Sequence, residues 1–440
     1  MPEFLRLLPP PEALALLLSN LPDLQPAAET IDTIHALGRV TAEDIRAPYP
    51  LPEFTRATVD GYAVRAADTF GASDRLPAYL CVTGEVPMGA APSFGLQSGE
   101  CALIHTGGML PEGADAVVML EYTQSVNHGE HNGRGEGGAI EIEVLRAVAV
   151  GENVICVGED VAADQVVIAS GTRVRPAEIG GLVALGIVQL RVVIKPKIGI
   201  LSSGNEVIPP EQRPRPGQVR DINSHSLAVL VVQTGGEPVL YGIVPDKLDA
   251  MKQAAARALA ECDMLVITAG SSASARDVTA EALRSLGAPG VLVHGVNVRP
   301  GKPTILAACN SKAAIGLPGN PVSALVIAQL FVVPLIERLL GLQPRAPRPS
   351  VMARLTVNIP SQAGREDWWL VRLTLPSPLS PIPSAKSTGE QGTGEVAWLA
   401  EPIFAKSNLI FSLVTADGLV RIPPDATGLS AGESVWVYLI

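Results

Sequence analysis

The chain has 440 residues, which at about 150 residues per domain predicts about three domains. Hydrophobic residues make up 47% of it, so a largely disordered chain is excluded, while 42 glycines and 38 prolines indicate many turns between short elements. The formal charge of −11 and the few aromatic residues (7 Phe, 6 Tyr and 4 Trp) disfavour binding to nucleic acid or to an anionic membrane. An anionic ligand would need a local basic pocket.

The cysteines, the amino terminus and the apolar segments together indicate where in the cell the protein is expected. The five cysteines are an odd number without CxxC spacing, which is typical of free thiols in a reducing environment. The amino terminus lacks the basic region and apolar core of a signal peptide. The longest apolar stretch, 324–342, contains Gln329, Pro334, Glu337 and Arg338, which predicts a packed helix instead of a membrane span. We therefore expect a soluble cytoplasmic protein with neither a membrane nor a nucleic acid as its partner.

Short elements are predicted in the amino-terminal half of the chain. An apolar helix is expected over residues 11–21, and from about 31 to 188 short β-rich runs alternate with Gly/Pro turns at the spacing of barrels and sandwiches. A glycine-rich loop is expected over 125–138. Its His128 and His131 are interpreted as solvated and not as metal ligands, because such a loop does not preorganise a site.

After residue 196 the pattern changes to strand, loop, helix. The strands are apolar throughout, which argues for a parallel or mixed sheet covered by helices on both faces. The helices that lie between these strands are expected over 224–234, 247–262, 277–286 and 321–340. The proline-rich segment 341–350 predicts a linker, and residues 351–440 return to short strands, with a loop over 376–395, as a small terminal β-domain.

Ligands of an open α/β sheet bind at the carboxyl ends of its strands. The segments that follow the strands are expected to converge on one edge of the sheet; they are 202–206, 244–246, 269–277, 299–303 and 317–323. Glycines there let the backbone approach a ligand, and helix amino termini attract anions. Arg299 and Lys302 would supply the local basic pocket, while Glu206, Asp246 and Asp277 are hard oxygen donors suited to a shared Mg²⁺. Together they predict a polyphosphate-like ligand with a metal.

Ordinary turn chemistry is the alternative for any one of these loops. Asp277 could cap its helix, and Glu206 could be solvated. Five such loops at one edge favour a binding site over five unrelated turns.

Six motifs carry a family resemblance. They read TVDGYAV (58–64), IHTGGMLPEGADAVV (104–118), GENVICVGED (151–160), SGNE (203–206), RPGKP (299–303) and GLPGNPVSA (316–324). In this order, across nearly the whole chain, they resemble the molybdopterin molybdenumtransferase family, the MoeA-like proteins that include the E domain of gephyrin.

The resemblance implies a multidomain α/β plus β architecture and an elongated homodimer. In this architecture each chain comprises a doubly wound molybdopterin-binding domain, two β-rich N-terminal domains and a C-terminal small β-barrel. The implied boundaries are 27–51 with 149–189 for domain I, 52–148 for domain II, 1–26 with 190–342 for the doubly wound domain III, and 350–440 for the barrel, domain IV.

The resemblance also implies an activity in molybdenum cofactor biosynthesis. Adenylylated molybdopterin and molybdate would be the substrates, and cleavage of the phosphoanhydride with Mg²⁺ would release AMP and leave molybdenum on the dithiolene. The implied catalytic residues are Asp60, Thr106, Glu206, Asp246 and Asp277, of which the last three would bind the metal and manage protons. Because the family's site is shared between subunits, the first two would come from the second copy. Molybdopterin adenylyltransferase and molybdoenzyme acceptors are candidate protein partners.

Further residues are implied to bind the cofactor. Lys302, and Arg299 in place of the usual lysine, would hold its anionic parts, and Pro318 and Pro321 would shape the closing loop. The other residues implied to bind it are Ser203, Gly204, Gly270, Ser271, Gly301, Gly319, Arg365 and Ser407.

Some positions depart from the family pattern. Loop 269–277 has serines and alanines in place of the later glycines and adds Arg276; Asn205, Ile222 and Cys156 also differ. These departures keep two alternatives to catalysis open: a non-catalytic carrier, sensor or scaffold that binds molybdopterin or an oxyanion, and a molybdopterin adenylyltransferase. The choice between molybdate and tungstate stays open as well.

Overall fold

A computed structural model describes most of the chain. The described residues are 7–23, 26–126, 140–269, 273–342, 349–376 and 398–440, with residues 273–276 described by their backbone alone. Several sequence predictions therefore lie outside the described residues: those for His128 and His131, for Gly270 and Ser271, for most of the 341–350 linker and for most of the 376–395 loop.

The amino-terminal half is built of short strands, as predicted, after an apolar helix α1 (Pro10–Ser19). One six-stranded sheet contains, in spatial order, Ala116–Met119, Gly61–Val64, Glu100–Ile104, Ala78–Glu85, Glu141–Val144 and Thr123–Val126. Three two-stranded pairs join Ala28–Asp32 to Gln189–Val193, Ile45–Arg46 to Val166–Ile168, and Arg56–Ala57 to Val154–Ile155. Helix α2 (Pro176–Ala184) and the 3₁₀ turns Thr33–His35, Ala66–Thr69 and Leu120–Tyr122 complete this half. The domain boundaries implied by the sequence stay predictions.

The second six-stranded sheet is doubly wound. Its strands are β1 (Lys197–Ser203), β2 (Glu237–Val244), β3 (Met264–Thr268), β4 (Pro289–His294), β5 (Ile305–Cys309) and β6 (Lys312–Leu317). Their spatial order is β2-β1-β3-β6-β5-β4, in which β5 runs antiparallel to both neighbours and the other pairs are parallel. The prediction of a parallel or mixed sheet is therefore confirmed in its mixed form.

Helices cover both faces of this sheet. They are α3 (Asn223–Thr234), α4 (Leu248–Glu261), α5 (Ala273–Arg284) and α6, which spans residues 321–339. Helices α1, α3 and α6 pack on one face in a core that contains Leu17, Leu227 and Phe331, while α4 and α5 pack on the other around Met251 and Leu283. The helices thus bury both faces of strands that are apolar throughout.

Two helices differ from their sequence predictions. Helix α5 begins at Ala273, four residues before the expected start at 277, because alanine and arginine at 273–276 favour helix where a loop was expected. Helix α6 contains a π-helical segment over 328–332. Pro334 has no N–H, and its ring conflicts with the carbonyl four residues earlier, so the hydrogen-bond ladder widens there.

Helix α6 is long and apolar enough to cross a membrane by length and composition, with a mean hydropathy of 1.9. However, 61% of that window is buried in the protein, and Ile327, Phe331 and Ile336 are fully buried in the core beside the sheet. It is the packed core helix that its polar and proline residues predicted.

The carboxyl-terminal region is a closed five-stranded barrel, which confirms the predicted small β-barrel. Its strands are, around the barrel, Glu366–Thr374, Trp398–Pro402, Ser350–Leu355, Ser434–Leu439 and Gly418–Ile422. The first and last of these also pair with each other, which closes the barrel around a core containing Leu355, Val371 and Val437. A two-stranded pair, Ile359–Pro360 with Gly428–Leu429, and helix α7 (Phe411–Val414) lie outside it.

A two-residue strand joins the doubly wound sheet to the barrel. Val298–Arg299, between β4 and β5, pairs in parallel with Glu366–Asp367 at the start of a barrel strand. The same loop passes close to α6 at Gly301, whose φ is +116° and where a Cβ would lie 2.3 Å from Ile327 Cγ1. A side chain is therefore excluded at residue 301 by both backbone conformation and space.

We expect Gly301→Ala to destabilise the protein more than Gly71→Ala does. Both glycines have positive φ, but a Cβ at Gly71 would meet nothing within 4 Å. Overpacking against Ile327 would therefore add about 1–3 kcal/mol to the backbone strain that both variants share. Calorimetric unfolding measures the difference, and equal losses in the two variants would contradict this account of Gly301.

Candidate functional site

Two adjoining cavities lie at the carboxyl-end edge of the doubly wound sheet. The smaller, of about 270 Å³, follows the ends of β1 and β3, and the larger, of about 690 Å³, lies between the sheet edge and the barrel. Both are lined by Gly319 and Asn320. Four of the five strand-end segments contribute to these cavities: 202–206 and residue 269 to the smaller, 299–303 to the larger and 317–323 to both, whereas 244–246 lines neither.

A buried carboxylate organises the smaller cavity. Asp221, 6% exposed, accepts hydrogen bonds from Ser202 Oγ at 2.7 Å, from Ser224 Oγ at 2.6 Å and from the Ser224 backbone N–H at 3.2 Å. Thr268 Oγ1, at the end of β3, lies 3.2 Å from Ser202 Oγ. Asp221 therefore ties the ends of β1 and β3 to the first turn of α3. The sequence patterns did not single out Asp221, although an aspartate just before a predicted helix is a capping signal.

Four residues expected at the site do come together after β1. Ser203 Oγ donates to Asp246 Oδ1 at 2.5 Å, and a Cβ at Gly204, where φ is +150°, would lie 2.9 Å from Glu206 Oε2. Asn205, one of the departures from the family pattern, accepts a 3.3 Å hydrogen bond from the Asp246 backbone N–H. Both carboxylates therefore adjoin the β1 end, and Glu206 lines the smaller cavity whereas Asp246 does not.

Asp277 is not joined to these two carboxylates by a described contact. It lies exposed on α5 and lines neither cavity, and Gly270 and Ser271 before it are outside the described residues. Within the described ranges, no three His, Cys, Asp or Glu side chains converge as a metal site. The Mg²⁺ site of Glu206, Asp246 and Asp277 stays a prediction.

The larger cavity is basic. Among its lining residues are four cations, Arg299, Lys302, Arg365 and Lys406, and no carboxylate is present among the lining residues that the structure describes. The Arg299 guanidinium lies 5.7 Å from the centre of the Trp369 ring, which also lines the cavity. In a chain with a net charge of −11, this is the local basic pocket that an anionic ligand needs. Lys406, on a barrel loop, and Trp369, on the strand Glu366–Thr374, were missed because the sequence does not show which side of the barrel meets the sheet.

The wall between the cavities is tied down from both sides. Asn223 Nδ2 donates to the Gly319 carbonyl at 2.8 Å, and Asn320 Nδ2 donates to Ser407 Oγ at 3.1 Å. The Ser407 carbonyl in turn accepts from the Val322 N–H at 3.1 Å. Pro318 lines the larger cavity and Pro321, at the start of α6, the smaller one. Ser407 therefore fixes the start of α6 to the barrel.

Asp60 and Thr106 form a separate pair in the amino-terminal sheet. The pairing of Gly61 with Ile104 places them side by side, and Asp60 Oδ1 accepts from the Thr106 N–H at 2.7 Å and from its Oγ1 at 2.9 Å. The backbone bond first, and the hydroxyl second, lower the pKa of Asp60. His105 lies between Asp60 and Glu85, at 3.8 and 3.3 Å. Neither Asp60 nor Thr106 lines either cavity.

Comparison with known proteins agrees with this arrangement. The chain matches the family descriptions "MoeA N-terminal region (domain I and II)" over residues 8–186, "Probable molybdopterin binding domain" over 199–338 and "MoeA C-terminal region (domain IV)" over 352–440. It is 32% identical to the molybdopterin molybdenumtransferases of Nostoc sp. and Bacillus subtilis, over 94% and 93% of this chain and 89% and 88% of theirs. The chain belongs to the molybdopterin molybdenumtransferase (MoeA) family.

A solved MoeA structure has the same architecture. The crystal structure of the molybdopterin biosynthesis MoeA protein from Pyrococcus horikoshii OT3 overlays with a TM-score of 0.80 and 33% identity, covering 99% of this chain and 100% of that one. The resemblance of the six motifs and the fold class that it implied are thereby confirmed. Membership also confirms a transferase of molybdenum cofactor biosynthesis.

In this MoeA-family chain, we expect Thr106→Val to raise the pKa of Asp60 toward its ordinary value. The hydroxyl donor is lost while the backbone N–H remains, so part of the lowering persists. A lowered folded-state pKa contributes stability that is lost as pH falls through that pKa, so the variant should also lose less stability on acidification. Carboxyl ¹³C NMR titration measures the shift.

Thr123→Val is the matched control for this titration. The Thr123 hydroxyl donates to the Leu120 carbonyl at 2.9 Å, so its removal should leave the Asp60 titration unchanged. An Asp60 pKa that is the same in the Thr106 variant and the wild type would contradict the assignment.

Proposed function

We propose that this chain inserts molybdenum into adenylylated molybdopterin. Molybdate is the second substrate, the phosphoanhydride is cleaved, AMP leaves and molybdenum stays on the dithiolene. The observation that supports this most directly is the basic cavity beside the strand-end cavity of a molybdopterin-binding fold.

The larger cavity is proposed to take the molybdate. A tetrahedral dianion must approach a second anionic substrate, and nearby cations reduce their mutual repulsion. Arg299 and Arg365 offer planar guanidinium groups whose N–H donors match oxyanion oxygens, and Lys302 and Lys406 add point charges. Gly319 and Asn320 line both cavities, so an anion bound in the larger cavity would lie beside the ligand of the smaller one.

The smaller cavity is proposed to take the phosphate-bearing part of adenylylated molybdopterin. Ser203 and Thr268 line this cavity at the strand ends and provide hydroxyl groups, and Gly204, between Ser203 and Glu206, adds no side chain. The oxygen donors of Glu206 and Asp246 fit Mg²⁺, and we propose Asp277 as the third ligand. When bound there, the metal would neutralise charge on the anhydride. A carboxylic acid from this set would protonate the oxo group that leaves molybdate.

A homodimer is proposed to complete the site. Asp60 and Thr106 line neither cavity of their own chain, so they would serve the cavities of a second copy. A cytoplasmic location is proposed because all five cysteines are free thiols. Molybdopterin adenylyltransferase and molybdoenzyme acceptors are proposed as the proteins that supply the substrate and receive the product.

Exposed apolar side chains support the dimer. Leu37 is 63% exposed and Val188 is 66% exposed in the amino-terminal half, and Val232 on α3 is 59% exposed. Arg173 links these two regions, because its guanidinium donates to the Gly38 carbonyl at 3.2 Å and to the Thr234 carbonyl at 2.8 Å. Exposed apolar side chains on both of these joined regions are suited to burial against an identical copy.

Turnover of defined substrates tests the activity. Purified protein with adenylylated molybdopterin, Mg²⁺ and molybdate should release AMP and yield active cofactor. We expect Asp277→Asn to lower turnover about 100-fold or more while leaving the oligomeric state intact. Glu281→Gln is the matched control one turn along α5; it removes a surface ion pair with Lys252 at 3.4 Å and should keep full turnover.

Other outcomes of this assay favour the alternatives. Tight molybdopterin binding without AMP release supports a carrier, sensor or scaffold, and consumption of ATP with free molybdopterin supports an adenylyltransferase. Unchanged turnover in Asp277→Asn removes that residue from the mechanism.

The dimer surface makes a separate prediction. Leu37→Glu would bury an unpaired charge at each copy of the interface, which should weaken dimerisation about 100-fold or more. Val414→Glu, at a position 70% exposed on α7 of the barrel, is the control and should leave the dimer intact. Light scattering over a concentration series measures both, and a Leu37→Glu dimer as stable as wild type would refute the proposed surface.

A further inference from the structure

Two adjacent carboxylates are buried where the barrel meets the doubly wound sheet. Glu366 is 4% exposed and Asp367 is 0% exposed, both at the start of strand Glu366–Thr374. Burying a carboxylate is unfavourable unless cations and hydrogen bonds compensate it. Alternate residues of a strand point to opposite sides, so these two neighbours meet different partners.

Asp367 faces the two arginines of the larger cavity. It accepts hydrogen bonds from Arg365 Nε at 2.8 Å, from Arg365 Nη2 at 3.4 Å and from Ser361 Oγ at 2.9 Å. Arg299 Nη1 lies 3.9 Å from its Oδ2, and the parallel strand register places Arg299 opposite Asp367. Both arginines line the larger cavity, whereas Asp367 lies behind them and does not.

Glu366 binds an arginine outside the cavity. It accepts from Arg421 Nε at 2.9 Å, from Arg421 Nη2 at 2.7 Å and from Trp368 Nε1 at 2.7 Å. Arg421 does not line the larger cavity. The two acids therefore have equal charge and similar burial, and each is paired with arginine. Asp367 contacts arginines that line the larger cavity, whereas the arginine bound by Glu366 does not line it.

We propose that Asp367 is a positioning residue for oxyanion binding. It holds the guanidinium groups of Arg365, from the barrel, and Arg299, from the sheet, in one fixed arrangement before the anion arrives. The inference rests on the proposed function in one respect, namely that the larger cavity binds molybdate. Arginine side chains that are already fixed lose less conformational freedom on binding, and their N–H donors point toward the same region.

Neutralising Asp367 should change the anion affinity of the larger cavity in two opposite ways, one through charge and one through the positioning of the arginines. Removing a negative charge beside Arg299 makes the cavity more positive and strengthens the attraction of any anion. Releasing the guanidinium groups weakens the binding of an anion that needs several hydrogen bonds at once, such as tetrahedral molybdate. Chloride needs no such geometry, so the two anions respond differently if Asp367 positions the arginines.

Asp367→Asn tests this in the full-length protein. Asparagine keeps the volume but offers one oxygen in place of two and turns an N–H₂ group toward guanidinium donors. By calorimetric titration with sodium molybdate, we expect the molybdate dissociation constant of the variant to rise about tenfold. Chloride affinity, measured as the inhibition of molybdate binding by chloride, should stay the same or increase. In the turnover assay, KM for molybdate should rise by a similar factor with kcat within about twofold.

Glu366→Gln is the matched control. It neutralises the neighbouring buried acid and weakens its bonds to Arg421, while the glutamine oxygen still accepts from Trp368, which lines the larger cavity. We therefore expect a lower melting temperature with unchanged molybdate binding. If Asp367→Asn does not fold, Ser361→Ala removes a single hydrogen bond to Asp367 and should raise the molybdate dissociation constant by a smaller factor of about two to three.

Several results would overturn the inference. Wild-type molybdate affinity in Asp367→Asn would do so, as would parallel losses of molybdate and chloride affinity, which indicate general damage. Wild-type protein that binds molybdate without releasing AMP would refute the proposed reaction alone, and the titration would still decide the role of Asp367. Wild-type protein that binds no molybdate would refute both.

Discussion

The pairing of Val298–Arg299 with Glu366–Asp367 is the contact on which the larger cavity depends. Two backbone segments from different folding units meet there as neighbouring strands, so the edge of the doubly wound sheet and the barrel are held at a fixed separation. Gly301 permits the close passage of this loop over α6, and the hydrogen bond between Asn320 and Ser407 fastens the opposite wall. The cavity is therefore a product of the junction and belongs to neither unit alone.

The acidic residues of this chain serve different purposes according to burial. Asp221 and Asp367 are buried, and each accepts several hydrogen bonds. Those of Asp221 tie separate segments together, whereas Asp367 is bonded within its own segment and reaches a second one through its ion pair with Arg299. Glu206 lines the strand-end cavity, where its oxygens are accessible to a ligand. Four cations line the larger cavity in spite of the net charge of −11, and Asp367, the carboxylate that pairs with Arg299 and Arg365, does not line it. Local arrangement, and not total charge, determines which ligand the protein can attract.

The groups that the family resemblance assigns to one reaction lie in four places in the described part of the chain. The β1 end carries Ser203 and Glu206, with Asp246 from the β2 end bonded to Ser203; the barrel junction carries the cavity cations; and the amino-terminal sheet carries the Asp60–Thr106 pair. Asp277 lies apart from these, exposed on α5. Such a division fits a transferase that brings two anionic substrates together in separate compartments. It also makes the proposed dimer part of the proposed mechanism, since the third group faces neither cavity of its own chain.

Local sequence patterns were sufficient for the doubly wound sheet, the helices on its two faces and a terminal domain of short strands, because apolar periodicity and turn residues act over a few neighbouring positions. That these terminal strands form a barrel was implied by the family resemblance alone. They also placed Ser203, Gly204, Glu206 and Arg299 at strand ends or loops beside one edge. The tertiary structure decided that this edge opens into two cavities, that Lys406 and Trp369 face the sheet, and that Asp367 lies behind two arginines. These features depend on contacts between segments far apart in the chain, and no local pattern encodes which loop of one unit packs against which edge of another.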